Sequence, residues 1–63
     1  MRVMLADGQP KVRLALQMLL KHEPDVWVVG EAGDAENLLI RILSFQPDLI
    51  LVDWGLPGLA AIG

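Results

Sequence analysis

Cysteine is absent from this chain of 63 residues. No disulfide can staple the fold, and no thiolate is available for chemistry. Histidine is scarce too. His22 is the only imidazole, which with no thiolate leaves too few ligands for a zinc site. Bases are few: five Lys and Arg stand against eight Asp and Glu, for a formal charge of −3. That balance argues against nucleic acid as a direct partner of this segment. No apolar run approaches the roughly 20 residues needed to span a bilayer, so no membrane contact is expected. The opening Met1–Asp7 reaches an acid too early for a signal peptide. The expectation is one small soluble domain over 1–63, cytoplasmic in location.

Apolar residues are plentiful instead, at 54%. A domain of this length buries only about 60% of its unfolded surface. The chain therefore carries more apolar surface than it can easily hide.

Val3–Ala6 is short and apolar and ends at Asp7-Gly8. Such a run reads as a strand buried on both faces. An Asp-Gly pair after apolar residues is a hairpin signal. Here Pro10 and a helical pattern follow, so the pair reads as a strand-to-helix turn, with Gly8 free to adopt an unusual backbone angle. Residues 11–22 have helix-forming composition, with Val12, Ala15, Leu16, Leu19 and Leu20 on one stripe. Leu14 and Met18 lie off that stripe. Lys21 and His22 are expected in the last turn, where positive charge suits the helix dipole, and Pro24 stops the helix.

Val26–Val29 is β-branched and aromatic, a second strand, with Trp27 expected in the core. Gly30 to Gly33 reads as a connection. Asp34 is a good N-cap for a helix over 35–45, in which Ile40 broadens the apolar arc. Gln46-Pro47-Asp48 ends it. Leu49–Val52 is a third strand, continuous in apolar character and so expected to be buried on both faces. Trp54–Gly58 is a loop by its Gly and Pro content, and 59–63 begins a further helix.

This alternation is a βαβαβ pattern, an α/β class with a parallel sheet. With right-handed crossovers and the first strand in the middle, the order is 2-1-3, with helices on both faces. All strand carboxyl ends then share one edge. Asp7 and Asp53 end the first and third strands and flank the crevice where ligands bind. Two close carboxylates call for a cation or a raised pKa. Magnesium suits such ligands, and an Asp carboxylate can attack phosphorus. The bottom-up expectation is an acidic, cation-dependent phosphoryl-acceptor site. A bland role stands beside it, since an Asp at a strand end often caps a turn. Asp25 and Asp48 fall on the opposite edge and read as turn formers. Trp54 either shields the site or packs on its loop.

Leu5-Ala6-Asp7, the Pro10-Lys11-Val12-Arg13 helix start, Val28–Ala32, and Pro47–Asp53 with Leu56-Pro57-Gly58 resemble the receiver domain of bacterial two-component response regulators. The likeness is to the group with a C-terminal helix-turn-helix output domain, and it covers the whole chain. The resemblance implies a flavodoxin-like fold and phosphoryl transfer from a histidine kinase. It implies Asp53 as phospho-acceptor, and Asp7, Asp53 and the backbone carbonyl of Gly55 as magnesium ligands. No catalytic residue is implied, and the chain is not expected to be an enzyme. The family's second acid falls where this chain has Gly8. Its later Ser or Thr and Lys would lie beyond residue 63, so the chain reads as the first half of a receiver.

In such a half, the third strand has a bare apolar edge, an association hazard. With apolar helix faces beside it, a homo-oligomer is expected rather than a lasting monomer. Two functional classes follow: a phospho-acceptor module, or a non-phosphorylated receiver-like interaction module. A flavin- or nucleotide-binding protein of the same topology would need a Gly-rich loop after the first strand, which is missing.

Overall fold

A computed structural model describes residues 1–61 of the chain. Its elements run β1 (Arg2–Ala6), α1 (Pro10–Leu20), β2 (Trp27–Ala32), α2 (Ala35–Phe45) and β3 (Leu49–Val52), then a 3-10 turn at Leu59–Ala61. The sheet is parallel, three-stranded, in the order β2-β1-β3. This is the doubly wound α/β arrangement expected from the sequence. The further helix expected over 59–63 is a 3-10 turn through Ala61, and Ile62 and Gly63 lie outside the described residues.

The middle position of β1 explains its composition. Val3, Met4, Leu5 and Ala6 are all buried because side chains alternate between two covered faces. Met4 and Ala6 join Ala32, Ala35, Leu38 and Leu56 in one core cluster, with Ile42, Phe45, Ile50 and Leu59 packed against it. That cluster lies between the sheet and α2. Val3 and Leu5 point to the other face, where α1 crosses β1 and β2.

α2 has the bounds its sequence signals. The Asp34 carboxylate caps it by accepting the Asn37 backbone N–H at 2.7 Å. Gln46 ends it in the left-handed conformation, at φ 47°. The Arg2 guanidinium donates to the Phe45 carbonyl at that same end.

Several expectations are corrected. α1 ends at Leu20, two residues early, because the chain tightens into i→i+3 turns from Leu19 and Leu20 before it reaches Pro24. Lys21 is the C-cap and His22 lies past it, so neither sits in the last turn. The inward stripe of α1 is Arg13, Leu16, Gln17 and Leu20. Val12, Ala15 and Leu19 face solvent, Leu19 at 69% exposure. The helix is rolled so that Arg13 and Gln17 reach Glu31 on β2. Leu14 and Met18 are exposed, as their places off the stripe require, and so is Ile40 on α2.

β2 continues through Gly30, Glu31 and Ala32, the stretch expected as a connection, because these residues pair with Met4, Leu5 and Ala6. The register slips at Val3/Met4, leaving Val29 as a bulge. Trp27 is 61% exposed and no core residue, since it opens an edge strand beyond the cover of either helix. β3 is only half-buried: Leu49 and Val52 are exposed at 41% and 42%. It pairs on one side alone, and its outer edge is bare among the described residues.

Candidate functional site

In the β1–β3 ladder Ala6 is opposite Val52. The next residues, Asp7 and Asp53, therefore leave the two strands side by side. The Asp53 N–H donates to the Ala6 carbonyl at 2.8 Å, which extends the pairing to the edge of the site. Both acids line one depression of about 220 Å³ with Ala6, Leu16, Leu51 and Val52. The crevice expected at the topological switch point is thus present and carries both predicted carboxylates.

The two acids differ in setting. Asp7 is the buried charged residue of the described chain, at 7% exposure. Its Oδ1 accepts the Gln9 N–H at 2.8 Å, so it also caps the strand-to-helix turn. Its N–H donates to the Ala32 carbonyl at 3.1 Å, and its own carbonyl accepts from Arg13. Asp53 is exposed, and its Oδ2 accepts the Gly55 N–H at 3.2 Å.

Gly8 is not strained. The positive-φ glycine is Gly58, at 82°, so the unusual angle expected at Gly8 is corrected. The position is tight instead: a Cβ there would lie 2.9 Å from Cδ of Pro57. Pro57 also ties the loop down, its carbonyl accepting the Ala35 N–H at 2.8 Å. Leu56, a loop residue at 3% exposure, plugs the core beneath. Periodicity could not reveal these anchors, because they belong to a loop. Trp54 neither shields the crevice nor packs on its loop, being 93% exposed.

Asp48 lies on the opposite edge, as expected, and works as a clasp: its carboxylate accepts the Arg2 N–H at 2.7 Å. The Asp25 carbonyl accepts the N-terminal ammonium. Missed in the sequence was the network of Arg13, Gln17 and Glu31, with Arg13 Nε 3.0 Å from Glu31 Oε1. Its signal was two polar residues at i and i+4, Arg13 and Gln17, amid the apolar residues that run from Val12 to Leu20.

The crevice offers a cation two carboxylates, Asp7 and Asp53, and Gly55 is not among its lining residues. No cluster of three or more His, Cys, Asp or Glu occurs among the described residues. Magnesium commonly binds through one or two carboxylates and several waters, and this set fits that pattern. It holds one acid fewer than the resemblance implies, because Gly8 has no side chain.

Comparison with known proteins agrees with the geometry. The nitrate/nitrite response regulator protein NarL of Escherichia coli strain K12 is 39% identical over 57 residues, 90% of this chain and 26% of its own length. The uncharacterized transcriptional regulatory protein YxjL of Bacillus subtilis is 38% identical over 61 residues, 97% of this chain and 28% of its own. A protein-glutamate methylesterase/protein-glutamine glutaminase of Methanospirillum hungatei is 36% identical over 58 residues, 92% of this chain and 17% of its own. The chain spans about a quarter of the length of the first two relatives. No family model and no solved structure matches it. No described helix is long and apolar enough to cross a membrane. In its sequence relatives and its β2-β1-β3 sheet, the chain is similar to the receiver domains of two-component response regulators.

Proposed function

We propose that this chain is the first half of a receiver and that Asp53 is its phospho-acceptor. One observation carries the reading: Asp7 and Asp53 leave adjacent strands together and line a single crevice, with Asp53 open to solvent. The donor would be a phosphorylated histidine of a kinase. A carboxylate oxygen of Asp53 attacks phosphorus, the P–N bond breaks, and its electron pair stays with the imidazole. The product is an aspartyl phosphate. Asp7, Asp53 and the Gly55 carbonyl would hold magnesium, which when bound offsets the charge of the incoming phosphoryl group. The setting is cytoplasmic, and the segment itself, at −3, makes no nucleic-acid contact.

The test is incubation with a small acyl phosphate and magnesium, read by intact mass. The expected result is one phosphoryl adduct, lost in Asp53→Asn. No adduct, or an adduct that survives Asp53→Asn, overturns the reading.

A second reading, an interaction module that forms a homo-oligomer, is favoured by the β3 edge. Leu49–Val52 has no charge, proline or bulge, whereas the β2 edge carries the Val29 bulge and Glu31. The exposed apolar faces of α1 and α2 add to that surface. Sedimentation should show a concentration-dependent oligomer. A monomer at high micromolar concentration rejects it.

A further inference from the structure

We propose that Arg13 is a positioning residue for the acidic crevice, acting through Asp7; this rests on the acceptor reading of Asp53. The guanidinium makes two contacts in different directions. Its Nε donates to Glu31 Oε1 at 3.0 Å, and its Nη1 donates to the Asp7 backbone carbonyl at 2.5 Å. Gln17 Nε2 donates to the other oxygen of the same carboxylate. Glu31 on β2 is thereby held from α1 by two side chains, and it fixes the guanidinium in turn.

The ion pair alone does not explain the arrangement. The two side chains are 19% and 38% exposed, and pairs so open to water contribute little to stability. The geometry is more telling. The Asp7 carbonyl belongs to the peptide that leads into Gly8, and glycine leaves that peptide wide rotational freedom. The Asp7 N–H is fixed by the Ala32 carbonyl and its Oδ1 by the Gln9 N–H. Arg13 supplies the third hold, on the one polar group of Asp7 that local structure leaves free. A planar fork suits this task, because it can bond a carboxylate and a carbonyl at once. Where the family has a second acid, this chain has glycine. The Arg13 clamp keeps the neighbouring Asp7 aimed at the crevice despite that freedom.

Two measurements on the full chain test this. The first is the rate of phosphoryl uptake by Asp53 per folded molecule. The second is the backbone amide order of Asp7 and Gly8 by nuclear magnetic resonance. Arg13→Ala should slow uptake about tenfold, as a displaced site residue does. It should also raise mobility at Asp7 and Gly8 alone. Arg13→Lys, which keeps one donor but not the fork, should recover part of both. Glu31→Gln, which loosens the guanidinium without removing it, should move both in the same direction as Arg13→Ala and serves if that variant does not fold. Leu14→Ala, on the exposed face of α1 and outside this network, should leave both unchanged. Wild-type uptake in Arg13→Ala, or unaltered order at Asp7 and Gly8, overturns the proposal. If wild type takes up no phosphoryl group, the acceptor reading fails, and the amide order still decides the role of Arg13.

Discussion

The ring of Phe45 fills the space a side chain on Gly30 would need. A Cβ on Gly30 would lie 2.9 Å from Cδ2 and 3.1 Å from Cε2 of that ring, and 3.3 Å from Cε of Met4. The last residue of α2 thus rests directly on the backbone of β2. This contact seats the C-terminal end of the helix on the sheet, below the edge that carries the two acids.

Gly30→Ala should therefore overpack the core. The expected cost is about 1–3 kcal/mol, read from urea unfolding. Phe45→Leu in the same background should restore part of it. A single Gly30→Ala variant as stable as wild type would mean that the ring moves aside freely.

Gln46 holds a left-handed conformation that a side chain tolerates poorly. Gln46→Gly should stabilise the chain by about 1 kcal/mol, since glycine takes this angle without a Cβ penalty. A rise in thermal midpoint, with unchanged helical circular dichroism, is the expected readout. A fall would show that glycine's added unfolded-chain entropy outweighs the relief.

Asp34 makes α2 acid-sensitive. The Asn37 backbone N–H, then the Asn37 side chain, hold its carboxyl below the ordinary carboxylate value of 3.8. Its folded pKa is lower than its unfolded one, so the cap's contribution is complete above about pH 3.9. It is lost as pH falls through the folded value. Helical signal followed from pH 6 to pH 2 should drop in that window. Asp34→Asn keeps an acceptor that does not titrate and should flatten this part of the curve. An unchanged curve in the variant would assign the acid response elsewhere.

Leu49 stands exposed on the bare β3 strand. Leu49→Lys should blunt the edge, as lysine does on natural edge strands. Sedimentation should give a smaller mass at equal concentration, with circular dichroism unchanged. An unaltered mass would move the association surface to the apolar faces of the helices.

The sequence by itself determined the element order, the bounds of α2 and β3, and the pairing of Asp7 with Asp53. Each of these follows from signals a few residues long: an N-cap at Asp34, a four-residue apolar run ending in an acid, and the rule that parallel strands share one carboxyl edge. Tertiary structure alone decided which apolar residues are buried. Trp27 and Leu19 look like core residues by composition, yet they lie where no second layer covers them. Leu56 looks like loop and is buried, because its loop is tied to Ala35 through Pro57. Gly30, Glu31 and Ala32 look like a connection and are strand, because β1 offers them backbone partners. The same holds at the site. The acids were legible because strand ends are local features. The Arg13 clamp was not, because the roll of α1 that brings Arg13 to Glu31 and Asp7 is set by packing between residues distant in the chain.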